Sequence, residues 1–99
     1  DLGKAELAGA KLAGADLHGA NLSMANLRRA DLQKANLQGA TLVYANLPGA
    51  NLRGADLRGA RLKGANLIKA DLTGARLEGT ELSETLRDGA RGLSPASTP

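Results

Sequence analysis

The chain has no cysteine, no phenylalanine and no tryptophan, and Tyr44 is its one aromatic residue. Without cysteine there is neither a disulfide framework nor a thiolate metal centre. This agrees with a reducing compartment, and a cytoplasmic location is the expectation. Without large rings the core cannot be of the ordinary kind, which fills irregular space with side chains of mixed shape. No apolar run approaches the roughly 20 residues of a membrane span, and no leader-like apolar segment is present. Charge of one sign is not concentrated either: 13 Lys and Arg against 10 Asp and Glu leave a net +3 spread along the chain. A lone His18, in a variable outward slot and without a second imidazole, does not make a metal site. Glycine is plentiful, but no glycine cluster opens a helix before Gly-Lys-Ser/Thr, so a phosphate loop is excluded.

What is present is a leucine at every fifth position from Leu2 to Leu82, seventeen in succession. Five matches neither backbone period that normally organises a core. On a helix, at about 100° per residue, it makes no stripe; on a continuous strand it throws successive leucines to opposite faces. Alanine stands two places before nearly every leucine, from Ala5 to Ala75, with Thr80 in the last such slot. In an extended segment the two share a face. The residue between them points outward and is most often Asn or Asp, as at Asn21, Asn36, Asp56 and Asp71. Pro48 and Gly49 locate the bend, because Pro then Gly suits the two central positions of a type II turn, whose second residue needs φ > 0. Each unit is then a short extended side and a corner, as in Leu47-Pro48-Gly49-Ala50, with Leu and Ala inside. Corners without glycine, at Met24, Arg29, Lys34, Tyr44 and Lys69, are expected to use type I or irregular turns. The period alone leaves three, four or five sides per coil open.

The tandem unit Ala, Asn or Asp, Leu, x, x, from about Asp1 to Leu82, resembles the pentapeptide-repeat family. The resemblance implies a bacterial, all-β protein: a right-handed quadrilateral parallel β-helix with four repeats per coil, hence about four coils here. At a strand spacing of about 4.8 Å the rod is on the order of 20 Å long. Isolated coils bury too little to fold, so stacking of neighbours supplies the stability. The outward Asn and Asp are expected to bond local backbone and to form ladders along the rod.

Two regions follow: a repeat β-helix over 1–82, and a C-terminal cap with a flexible tail over 83–99. Leu86 arrives one residue early, and Ser83 to Gly89 has the N-cap and stop residues of a short helical turn. The chain starts at Asp1 already in register, as an excised part of a longer protein does. Nothing caps Leu2, and open strand edges template association, so end-to-end or face-to-face self-association is an expectation.

No catalytic or cofactor-binding residues are expected. Asp16, Asp31, Asp56 and Asp71 fill the repeat's own polar slot, and acid/base chemistry needs a cleft that perturbs pKa. Under the twenty-residue column rule that the family implies, Met24, Val43 and Tyr44 gather on one face and Pro48 with Ile68 on the next, forming a candidate interaction patch. Arg28, Arg29, Lys34, Arg53, Arg58, Arg61 and Lys63 form a candidate basic band. Interspersed acids and the missing aromatic platform disfavour nucleic acid as its partner. Some members of the resembled family mimic DNA, bind gyrase and protect it from quinolones through a negative surface. The positive net charge and Arg61, Lys63 and Arg76 depart from that pattern. The expected function is a non-catalytic rigid scaffold or protein-interaction module with an unknown protein partner.

Overall fold

The computed structural model describes residues 1–93. The chain winds as a four-sided parallel β-helix. Isolated parallel bridges join residues twenty apart, from Glu6↔Asn26 through Asn46↔Asn66 to Asp71↔Arg91, so four five-residue units complete one coil. The body measures 30 × 21 × 20 Å, with a near-square section.

Counting the five backbone N–H groups of a repeat explains its letters, because buried backbone donors require partners. The outward residue donates to the alanine carbonyl of the preceding coil, as Asn46 does to Ala25 at 2.9 Å. Leucine donates to the outward residue of the next coil, Leu47 to Asn66 at 2.8 Å. The second corner residue donates to the next corner, Gly49 to Ile68 at 2.9 Å, and alanine closes the turn, Ala50 to Leu47 at 3.0 Å. Only the first corner residue has no backbone partner for its N–H. That group goes to the side chain of the outward Asn or Asp two residues earlier, as Gln38 to Asn36 Oδ1 at 3.1 Å and Ile68 to Asn66 Oδ1 at 3.0 Å. The bond recurs along the chain, from Gly3 with Asp1 to Thr73 with Asp71. The Asn/Asp letter thus supplies the one acceptor that coil stacking leaves out. The expected ladders between coils reduce, among the described residues, to Asn26 Nδ2 donating to Glu6 at 2.8 Å.

The corner at Leu47-Pro48-Gly49-Ala50 forms as the sequence indicates, with φ +68° at Gly49. The glycine-free corners do not use other turns. Met24, Arg29, Lys34, Tyr44 and Lys69 hold φ between 54° and 60°, in the same left-handed region. Twenty-residue stacking fixes each corner between those above and below, and this outweighs the roughly 1–2 kcal/mol that the conformation costs an L-residue.

Leucine and alanine fill the interior. From Leu22 to Leu72 every leucine in the frame is at most 1% exposed, and no polar or charged residue is buried among the described residues. Exposure rises toward both ends, where Leu7, Leu12, Leu17 and Leu77 are only partly covered.

The helical cap expected over 83–89 is not present. The backbone instead continues the coil, with bridges Asn66↔Leu86 and Asp71↔Arg91. The inter-coil bonds are indifferent to side chains, so the shifted Leu86 lies outside and Arg87 enters the leucine slot. Its guanidinium donates to the Leu82 carbonyl at 3.1 Å and to Thr85 Oγ1 at 2.7 Å. The expected flexible tail falls, from Ser94 onward, outside the described residues.

Candidate interaction surface

With the interior full, any recognition rests on the outward columns. The side built from residues 5–7, 25–27, 45–47, 65–67 and 85–87 is bounded by two corners, and we call it the Asn46 side. One corner, named for Tyr44, carries Lys4, Met24, Tyr44, Gly64 and Glu84, with Val43 and Lys63 beside them. The other, named for Pro48, carries Arg28, Pro48, Ile68 and Asp88, alternating with Gly9, Arg29, Gly49, Lys69 and Gly89.

All five residues of the sequence-derived apolar patch therefore border this one side. Met24 is 49% and Tyr44 53% exposed. The Tyr44 ring lies over Gly64 of the next coil, in the space that a Cβ there would take. Leu86 adds a further apolar side chain, 55% exposed, to the same side. Sequence reasoning missed it as a surface residue, although its early arrival, one place before the frame, was the signal. Pro48 has no N–H to donate, so the Asn46 side-chain carbonyl lacks the turn partner that Asn26 and Asn66 have. Asn46 is correspondingly exposed where those two are half-buried.

Along the Pro48 corner runs a shallow cavity of about 490 Å³, lined by Arg28, Arg29, Pro48, Gly49, Ile68 and Lys69 together with Ala8 and Gly9. The Arg29 stem extends over Gly49 and the Lys69 stem over Gly89, each Cγ near the glycine backbone.

The proposed basic band is distributed by the coil over several corners and sides. Arg28 and Arg29 share the Pro48 corner. Lys34 and Arg53 share the next, Arg58 lies on the one after, and Arg61 and Lys63 lie on and beside the side that follows. Four of these are paired: Arg53 with Asp71 at 3.9 Å, Arg58 with Asp56 at 2.6 Å, Arg61 with Glu81 at 3.4 Å and Lys63 with Glu84 at 3.8 Å. Arg28, Arg29, Lys34 and Lys69 have no carboxylate partner among the described residues.

The titratable groups are tuned by local surface bonds. The side-chain bonds from Arg58 hold the Asp56 carboxyl down at about 2. Hydrogen bonds from Thr73 lower Asp71. His18 sits 2.7 Å from Asp16 on an open corner, which lowers the aspartate and raises the imidazole. Both shifts favour charged forms. A general acid poised at neutral pH requires the opposite shift in a carboxyl.

A Leu/Ala-filled solenoid that displays its variable residues in columns defines a class of repeat protein. The chain belongs to the pentapeptide-repeat family: it matches the description "Pentapeptide repeats" in eight copies, over residues 1–33, 20–59, 30–67 and 45–84. The right-handed quadrilateral β-helix is the fold of this family. A pentapeptide repeat protein (Rfr23) from the cyanobacterium Cyanothece 51142 is similar at 41% identity and a TM-score of 0.81, over 82% of this chain and 56% of that one. The chain thus spans little more than half of the length of that relative. The pentapeptide repeat protein alr5209 from Nostoc Pcc 7120 is similar at 33% identity and a TM-score of 0.75, over 85% and 81% of the two chains. No curated protein matches the chain. No helix among the described residues is long and apolar enough to cross a membrane.

Proposed function

We propose that the chain is a rigid, non-catalytic interaction module whose outward columns present a partner-binding surface. The observation that carries this reading is the filled interior: from Leu22 to Leu72 the frame residues are closed to solvent, and no polar or charged residue is buried among the described residues. Membership of the family supports it, since pentapeptide repeat proteins are generally structural or interaction modules. DNA mimicry is not favoured, because a mimic needs a negative surface, and here Arg53, Arg58, Arg61 and Arg76 project from it. A gyrase supercoiling assay with micromolar protein is expected to show neither inhibition nor protection from quinolones.

The module reading is tested with a photo-crosslinking amino acid placed in turn at positions 18, 33, 43 and 68, one per corner, in native cells. A discrete crosslinked protein from at least one position is expected. Absence of a specific product from all four would sink the reading.

A further inference from the structure

The corners are not used alike. Among the described residues, seven other than glycine hold positive φ. Six of them, Lys4, Met24, Tyr44, Glu84, Arg29 and Lys69, stand on the two corners that bound the Asn46 side, and only Lys34 stands elsewhere. Around Lys34, on the corner diagonal to Tyr44, the equivalent positions are Gly14, Gly54 and Gly74, and among the described residues the fourth corner carries glycine at each such position, at Gly19, Gly39, Gly59 and Gly79. Glycine is the residue that this backbone favours, so the side chains at Tyr44, Arg29 and Lys69 are held against local preference. Steric strain of this kind concentrates where a surface is used.

The same side collects the exposed apolar groups Met24, Tyr44 and Leu86, and Pro48 and Ile68 line the cavity beside them. It also carries the exposed amide of Asn46. Along its Pro48 edge stand three cations, Arg28, Arg29 and Lys69, without carboxylate partners among the described residues; elsewhere Arg53, Arg58, Arg61 and Arg76 are paired, and the unpaired Lys11, Lys34 and Arg91 do not gather three to one corner. The side's own carboxylates are few and placed toward its ends: Glu6, bonded to Asn26, Glu84, paired with Lys63, and Asp88. Apolar side chains on both corners, with the Asn26, Asn46 and Asn66 column between them and unpaired cations along one edge, are complementary to an acidic chain that carries an apolar anchor. A second copy of this face does not offer it, since it would bring cations to cations.

We propose that the Asn46 side is a docking surface for an acidic polypeptide segment of a partner protein, one that carries a large apolar side chain among its carboxylates. The apolar anchor lies against Tyr44, Pro48 and Ile68, and its flanking carboxylates meet Arg28, Arg29 and Lys69. This rests on the module reading above and adds the partner's chemistry and its seat.

The test starts from a random twelve-residue peptide display library panned on the intact chain. Enriched peptides are expected to be net negative and to carry Leu, Ile, Phe or Trp. A fluorescein-labelled member should bind less tightly as salt rises, because its charge contacts are exposed. The variants use the letters that the coil itself favours. Tyr44→Gly/Leu86→Asn restores the common residues of both slots, as at Gly64 and Asn66, and Arg29→Gly/Lys69→Gly does so at the other corner. Circular dichroism should be unchanged for both. Each is expected to weaken peptide binding at least tenfold, and Lys34→Gly/Gln38→Ser, on the other two corners, less than twofold. Neutral or basic enriched peptides, or full affinity in Tyr44→Gly/Leu86→Asn, would overturn the proposal. So would displacement of the peptide by a 20-nucleotide DNA at equal salt, or a dimer in sedimentation that Tyr44→Gly/Leu86→Asn dissolves. Crosslinks confined to positions 18 and 33 would refute this seat and leave the module reading intact.

Discussion

Replacing Asn36 by alanine removes the acceptor of a single backbone donor, the Gln38 N–H, which lies 3.1 Å from Asn36 Oδ1 at a half-buried corner. A hydrogen bond of this kind contributes about 0.5–1.5 kcal/mol net, and for a domain of this size about 1 kcal/mol moves Tm by roughly 4–8 °C. Asn36→Ala is therefore expected to lower Tm by several degrees. Asn46→Ala should cost less than about 0.5 kcal/mol, as surface changes do, since the residue two places on is Pro48 and has no N–H to satisfy. Gln38→Pro copies that arrangement: proline suits the first central position of a type II turn, and there it removes the donor itself. In a double-mutant cycle, Asn36→Ala should therefore be nearly free when Gln38→Pro is present, with a coupling of about 1 kcal/mol. Thermal and urea melts of the four proteins, followed by circular dichroism, measure it. Equal costs for Asn36→Ala and Asn46→Ala, or no coupling with Gln38→Pro, would show that the outward Asn is not there for its turn.

Leu47→Ala, at a position with 0% exposure, should cost about 2–5 kcal/mol, whereas Leu17→Ala at the less covered end should cost markedly less in the same melts. Gly39→Ala meets open space, so only its positive φ is penalised, by about 1–2 kcal/mol. Gly64→Ala must in addition displace the Tyr44 ring, which near-ultraviolet dichroism reads directly. The Asp56 pKa is depressed from 3.8 to about 2 in the folded chain, so its contribution to stability is present above about pH 4 and lost as pH falls toward 2. Asp56→Asn should flatten the stability profile across that window. His18 is raised by Asp16, so its NMR titration should move down toward the ordinary imidazole value in Asp16→Asn.

Much of the fold was legible because a few residues fix geometry by chemistry. Pro48-Gly49 marked a corner, and the shared parity of Leu and Ala marked the inside. The glycine-free corners were misjudged for a physical reason. The preference of Met24 or Tyr44 against positive φ is a local energy of about 1–2 kcal/mol, and bonds to the coils on either side override it. The end of the coil was hidden in the same way, because Leu86 out of frame breaks the side-chain pattern while the backbone ladder continues regardless. Of the candidate surface, the twenty-residue spacing brought Tyr44, Val43 and Met24 near Pro48 and Ile68. It did not reveal Leu86, and it did not separate the paired arginines from Arg28 and Arg29, since pairing depends on where Asp56, Asp71 and Glu81 fall on neighbouring coils. The role of Asn and Asp was half visible: their taste for local backbone was expected, but the particular N–H emerged only once the other four of each repeat had partners.

The central claim is that the variable letters of one side carry recognition, while the repeated letters only build the rod. Amide chemical-shift mapping by NMR, as an enriched acidic peptide is titrated into the intact chain, tests it most directly. Perturbations confined to residues 24–29, 43–49, 63–69 and 84–88, with His18, Gln38 and Arg58 unmoved, are the predicted result. Shifts centred on His18, Gln38 and Arg58, or spread evenly over the coils, would contradict it.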